Sequence, residues 1–229
     1  FSRRKTPGDF DADYLDEAIQ AAVRHREKTT PGRFRRLVWS DADFIPGLIV
    51  DQFADILVIQ AVTLAVDLRL GDITRILQEL LRPAEIVFRN DAPVRKLEGL
   101  KEEVNTLSGA RLPAQWFQID GIEYFLDLER SQKTGYYLDQ RTQHQTIGKY
   151  AAGRRVLDGF CNQGSFALQC ARAGAAAVKA IDSSEECIKL VKLNAGKNQL
   201  KVDAVEANLF DFLADAKKGD AYDLIILDP

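Results

Sequence analysis

The sequence predicts an α/β protein in which the first half of a doubly wound parallel sheet follows a small α+β domain. Three observations carry this. After Tyr150, short apolar runs and helix-spaced runs alternate strictly. A turn bearing Gly159 and Gly164 joins the first of these strands to the first helix, as doubly wound sheets require. Between Leu37 and Val62, by contrast, three β-rich runs are parted only by Asp, Pro and Gly, which favours antiparallel pairing.

The elements follow in order. Residues 11–27 place Tyr14, Leu15, Ala18, Ile19, Ala22 and Val23 at helical spacing, with acids in the first turn and Arg24, His25 and Arg26 in the last. Thr29 to Gly32 break that helix. The three strands of 37–62 come next, then a helix over Val66–Leu81 that stops before Pro83, and a strand over 85–90. Asp120-Gly121 between alternating runs predicts a hairpin over 116–128. In the second half, strands are expected at 155–158, 178–182, 203–206 and 223–227. The helices are expected at 165–173, 184–198 and 209–217, with Ser183 and Glu186 as a capping box for the second.

Composition limits the function classes. With 229 residues, 46% hydrophobic and 28% charged, the chain has material for a large core and more than one domain. A net charge of −3 gives no global attraction to nucleic acid, so any phosphate contact must come from local patches. No apolar run reaches the roughly 20 residues of a membrane span, and no secretory signal is present, which together read as a cytoplasmic protein. The three cysteines, Cys161, Cys170 and Cys187, form no C-x-x-C pair, so neither a disulfide framework nor a metal site is expected.

The chemistry concentrates at strand tips. In VLDGFCNQGSFAL, residues 156–168, the glycines let backbone approach a ligand and the helix start favours a negative group. Gly159 and Gly164 stand five apart around bulky residues, unlike the G-x-G-x-x-G of a dinucleotide turn. Asp158 at the first strand tip suits a cationic ligand group better than a diphosphate. S-adenosylmethionine, with an ammonium and a sulfonium, is the cofactor that fits. Phe160, Asn162, Gly164, Ser165 and Ser183 then line it. Asp182 at the second tip can accept both ribose hydroxyls or help cap the next helix; Asn208 at the third can meet the adenine edge or cap the helix from Leu209. At the fourth tip, DLIILDP places Asp228 and Pro229 where ligands of open α/β sheets bind.

SQKTGYYLDQR at 131–141, VLDGFCNQGSF, the terminal DLIILDP, the run from Ser40 to Gln60 and DAPVRKLEGL at 91–100 together resemble the bacterial 23S ribosomal RNA large-subunit methyltransferases that make 5-methylcytosine. The resemblance spans nearly the whole chain, and KTGYYLDQR is its most specific motif. It implies a class I Rossmann-like methyltransferase that binds S-adenosylmethionine and acts on 23S rRNA or a large-subunit particle. The oligomeric state stays open, a homodimer included. It also implies a longer protein, with an RNA-binding domain before residue 1 and, after Pro229, a second proline, three strands and the nucleophilic cysteine. Tyr136 and Gln140 of KTGYYLDQR either contact the methionine part of the cofactor or belong to a structural junction in which Asp139 and Arg141 act as cap and ion pair. The chain departs from the family in two places: Asn162-Gln163-Gly164-Ser165 stands for Tyr-Thr-Gly-Gly, and Asn208 for Asp.

The expected organisation is a linker helix at 1–32, a central domain at 33–112, a hairpin and junction at 113–149, and the cofactor-binding domain at 150–229. RNA contact is assigned to Arg33, Arg35, Arg36, Arg89, Arg95, Lys96 and Lys101 of the central domain. Asp228 and Pro229 are expected at the target base. The rival readings are a non-catalytic fragment or paralogue that binds RNA or cofactor, and methylation of an exocyclic guanine nitrogen.

Overall fold

A computed structural model describes residues 10–131, 134–215 and 221–229. The chain divides into two compact units: residues 1–114 with 126–139, and residues 115–125 with 140–229.

The first unit opens with α1 (Ala12–Thr29), whose N-cap Asp11 accepts the Tyr14 amide at 2.9 Å. Its apolar stripe, Leu15, Ile19, Ala22 and Val23, is buried, as the spacing predicts. Strands β1 (Phe34–Trp39), β2 (Leu48–Phe53) and β3 (Ile56–Ala61) pair antiparallel in sequence. Two helices, α2 (Leu64–Asp67) and α3 (Leu70–Leu81), then carry the chain to β4 (Glu85–Asn90), parallel to β3, and β5 (Glu103–Thr106) closes the five-stranded sheet β1-β2-β3-β4-β5. Leu15 and Ile19 of α1 and Ile73 and Leu77 of α3 share one core with Leu37, Val50 and Ile59 of the sheet. Each such side chain contributes roughly 1.5–3 kcal/mol by leaving water.

The single helix expected over 66–81 is two. Arg69 donates its amide to Val66 O, a tight 3₁₀-type bond that ends α2, and Asp67 is held by buried Arg95 at 2.9 Å. Strand β5 has no counterpart in the expected elements: three of its four residues are exposed, so it carries no apolar alternation.

The central arginines expected to meet phosphates serve the fold instead. Arg35, Arg36, Arg89 and Arg95 are all buried. Arg36 grips Asp51 through two bonds of 2.9 Å and reaches Asp139 at 3.1 Å. Arg89 pairs with Asp91 and donates to Leu128 O. A buried cation must be paired to offset its desolvation, which explains why these side chains turn inward onto carboxylates and carbonyls. Arg33, Lys96 and Lys101 remain exposed, with Lys96 bridged to Glu102 at 2.6 Å.

The second unit begins with the hairpin β6 (Gln115–Ile119) and β7 (Ile122–Leu126). Asp120 and Gly121 both take positive φ, 50° and 77°, the geometry of the two-residue turn that Asp-Gly favours. Arg141, which opens α4 (Arg141–Gly148), forks onto the Asp120 carboxylate, and Arg172 donates to Asp120 O at 2.6 Å. Four parallel strands follow: β8 (Arg155–Gly159), β9 (Ala177–Asp182), β10 (Asp203–Glu206) and β11 (Leu224–Leu227), in the order β10-β9-β8-β11. Between them run α5 (Ser165–Arg172), α6 (Glu185–Lys197) and α7 (Leu209–Ala214). The expected end of the last helix, at Lys217, lies outside the described residues. The chain passes from β8 to β9 to β10 in one direction and returns to the far side of β8 for β11, so the order reverses at the β8 tip. That reversal opens the crevice where α/β sheets bind ligands.

Candidate active site

Parallel pairing brings the carboxyl ends of β8, β9, β10 and β11 to one edge, with Asp158, Asp182, Asn208 and Asp228 at or near their tips. The loop after β8 is sharply folded. Phe160, Asn162 and Gly164 all take positive φ, at 61°, 49° and 86°. Asparagine and glycine enter this region readily, whereas a bulky phenylalanine there carries strain of about 1 kcal/mol or more and needs its surroundings to impose it. Those surroundings are visible. Cys161 donates its amide to Ile181 O at 3.0 Å, Asn162 donates its own to the Asp182 carboxylate at 2.9 Å, and Gly164 donates to Cys161 O at 2.8 Å.

Asp158 is 1% exposed, and its two oxygens differ. Oδ2 accepts the Ala167 amide from the first turn of α5 at 2.9 Å, while Oδ1 is buried with no hydrogen-bond partner among the described residues. Burial pushes this carboxyl up to about 7; the Ala167 amide opposes the shift, and the charges of Asp228 and Asp182 add to it. A buried carboxylate with an unused oxygen fits a ligand cation and disfavours a diphosphate.

Asp182 spends both oxygens on protein amides, one on Asn162 of the loop and one on Ser184 at 2.9 Å. Each oxygen keeps a lone pair, so these amide bonds leave room for the expected ribose hydroxyls. The N-cap of α6 is Ser184, whose Oγ accepts the Cys187 amide at 3.3 Å; Ser183, expected as the cap, is exposed. Asn208 caps α7, with Oδ1 accepting the Phe210 and Asp211 amides at 2.9 and 3.4 Å. Its carbonyl oxygen is therefore committed to the helix, and the amide nitrogen is what it can present to a ligand.

Of KTGYYLDQR, Lys133 lies outside the described residues. Thr134 donates to Asp51, Tyr136 is fully buried in the first unit, and Asp139 pairs with Arg36. Within the units, Asp139 pairs with Arg36 and Arg141 with Asp120. Gln140 donates from Nε2 to Asp228 Oδ1 at 3.1 Å. Gly164 caps α5 with Ser165 as its first residue.

Burial raises all three cysteine thiols, Cys170 to about 12, and nearby Asp158 and Asp182 carboxylates raise that of Cys161 further. None is a ready thiolate. Three residues at or beside the site escaped sequence reasoning. Phe210 is 71% exposed and sits edge-on to Phe160 with ring centroids 6.1 Å apart. Asn194 and Asn198 on α6 bond the hairpin backbone; their signal was a pair of asparagines four apart in a helix otherwise rich in leucine and lysine.

Residues 96–229 match a family described as S-adenosylmethionine-dependent methyltransferase. Two curated relatives carry the name ribosomal RNA large subunit methyltransferase I. The protein from Aeromonas hydrophila is 35% identical over 201 residues, covering 85% of this chain and 50% of the relative. That from Shewanella amazonensis is 36% identical over 210 residues, covering 89% and 52%. The chain thus spans about half the length of the curated relatives it matches. Among solved structures, a putative methyltransferase from Streptococcus mutans superposes with a TM-score of 0.82 at 22% identity, over 100% of this chain and 60% of that one. A putative methyltransferase complexed with SAH gives the same TM-score of 0.82 and 22% identity.

Proposed function

Because the chain belongs to the S-adenosylmethionine-dependent methyltransferase family, we propose that it contributes the cofactor half of an enzyme that methylates large-subunit ribosomal RNA at C5 of a cytosine. The Rossmann-like class I sheet provides the frame. The observation that carries the reading is the unpartnered oxygen of Asp158, buried at the tip of β8 beside a loop forced into left-handed geometry. The names of the relatives support ribosomal RNA as the substrate.

When bound, the cofactor supplies an electrophilic methyl group on a sulfonium. Asp158 balances the cofactor ammonium, Asp182 accepts from the ribose hydroxyls with its remaining lone pairs, and Asn208 donates from its amide to an adenine ring nitrogen. Phe160 and Phe210 offer aromatic faces and edges to the purine. Asp228, oriented by Gln140, receives the exocyclic amine of the flipped-out base, and Pro229 stiffens the backbone that aims it. Methylation at C5 needs a thiolate adding to C6. The raised thiols of Cys161, Cys170 and Cys187 do not suit that step, so in this reading the nucleophile lies outside these 229 residues. RNA contact in the central domain falls to the bases that remain exposed, Arg33, Lys96 and Lys101.

Calorimetric titration with S-adenosylmethionine and NAD tests the cofactor; methyl transfer from labelled cofactor to large-subunit rRNA by the enzyme that also carries the nucleophile, with nucleosides separated after digestion, tests the target. Cofactor binding and label in 5-methylcytidine are expected. Label in a methylated guanosine moves the target, and binding of NAD alone overturns the assignment.

A further inference from the structure

We propose that Asn194 is a positioning residue for the cofactor loop, locking the loop's central peptide to the β6–β7 hairpin so that cofactor affinity depends on one buried amide. The inference rests on the reading that the loop after β8 holds S-adenosylmethionine.

Asn194 on α6 and Asn198 at its C-cap lie one turn apart and face the same way. Both bond the outer edge of β7, where a further strand would otherwise be needed to satisfy its amides. Asn198 accepts the Glu123 amide at 2.8 Å and donates to Glu123 O at 2.7 Å and to Asn194 O at 2.8 Å. All its capacity serves the hairpin and its own helix. Asn194 is different. Its oxygen accepts the Phe125 amide at 2.9 Å, but its nitrogen donates to Gln163 O at 3.3 Å, inside the cofactor loop.

Gln163 stands between two left-handed residues, Asn162 at φ 49° and Gly164 at φ 86°. The peptide that joins Gln163 to Gly164 is planar and trans, so its carbonyl and its amide point in opposite directions. Asn194 takes the carbonyl, and Cys161 O takes the Gly164 amide at 2.8 Å. Pinned at both ends, this peptide cannot rotate, and its orientation fixes where the left-handed loop leads into α5. At 0% exposure, Asn194 has no water to replace either bond. A substitution there frees the loop to sample other peptide orientations, and the cofactor then has to select the bound one.

The test compares Asn194→Leu with Asn198→Leu. Both remove hairpin bonds, and only the first also releases the loop. Expected is a Kd for S-adenosylmethionine raised about tenfold or more in Asn194→Leu and changed less than twofold in Asn198→Leu. In methyl transfer, the Asn194 effect falls on KM for the cofactor, with kcat at saturation within about twofold. Hydrogen exchange in the unsubstituted protein supplies a second measurement if Asn194→Leu does not fold: cofactor should slow exchange of the Phe125 amide more than that of Glu123. Equal affinities of the two folded variants, or Phe125 exchange that cofactor leaves unchanged, overturns the inference. If the unsubstituted protein binds no S-adenosylmethionine, the cofactor reading itself fails.

Discussion

Gln140 Nε2 lies 3.1 Å from Asp228 Oδ1, joining the residue before α4 to the tip of β11 across 88 positions of sequence. A donated hydrogen bond orients a carboxylate. KTGYYLDQR therefore reaches the proposed base pocket through Gln140.

Asp228→Asn should lower turnover at least tenfold while leaving cofactor affinity within about threefold, because it alters the pattern offered to the base and not the loop after β8. Gln140→Ala should lower turnover less, by about five- to tenfold, the upper part of the net range for one ordinary hydrogen bond. Steady-state methyl transfer beside calorimetric titration separates the two parameters. Full turnover in Asp228→Asn removes it from the chemistry.

Asp158 makes stability and binding depend on pH in opposite senses. Its folded pKa, about 7, stands above its ordinary value of 3.8, so between those values the folded state holds a proton that the unfolded state has lost. Unfolding free energy therefore falls as pH rises through this window, by on the order of 4 kcal/mol at most, and levels off above it. A cation bound at Oδ1 favours the ionised form, so cofactor affinity should rise from pH 6 to pH 8. Asp158→Asn should flatten both slopes. Thermal unfolding and titration at pH 5, 6.5 and 8 measure them, and parallel slopes in the two proteins would place the titration elsewhere.

Arg36 is 8% exposed and its partner Asp51 is 0% exposed. Arg36→Ala leaves Asp51 buried with Thr134 as a donor but no counter-charge, which costs about 3–5 kcal/mol. Denaturant unfolding should show that loss. The salt dependence of RNA binding by the folded fraction should be unchanged, whereas Lys96→Ala with Lys101→Ala should flatten it. A slope lowered by Arg36→Ala alone would return that residue to the phosphate contacts.

These contrasts mark what the sequence could and could not disclose. The strands β8, β9 and β11 were legible from short apolar runs alternating with helix-spaced ones, although Ile225 and Leu227 of β11 are exposed, and the hairpin because Asp120-Gly121 suits few other conformations. Strand β5 was not, since an exposed edge strand with the text Glu-Val-Asn-Thr has no face to mark. The inward turn of Arg36 depends on Asp51 and Asp139, 15 and 103 positions away, and no local pattern reports such a pair. The break between α2 and α3 likewise goes with a distant partner, Arg95. At the α6 start, Ser183 and Ser184 both fit a cap locally. The Asp182 carboxylate, by taking the Ser184 amide, accompanies the choice of the second. The carboxylates at the strand tips were legible in position; which of their oxygens are already used was not.

Asp182 brings those two kinds of information together. Its Oδ2 holds the Asn162 amide and its Oδ1 the Ser184 amide, so removing the side chain both deprives the ribose of an acceptor and releases the loop and the α6 start. Asp182→Ala should therefore weaken S-adenosylmethionine binding by about 1–3 kcal/mol and also destabilise the cofactor-free protein by about 1–3 kcal/mol. Asp182→Asn distinguishes the contributions. One oxygen remains for one amide, while the new NH₂ group opposes the other amide and cannot accept from a hydroxyl. Its binding loss should approach that of alanine if the ribose is held here. Titration of both variants, with unfolding measured on the same samples, decides. A stability loss with unchanged cofactor affinity in the folded protein would leave Asp182 as a structural clasp for the loop alone.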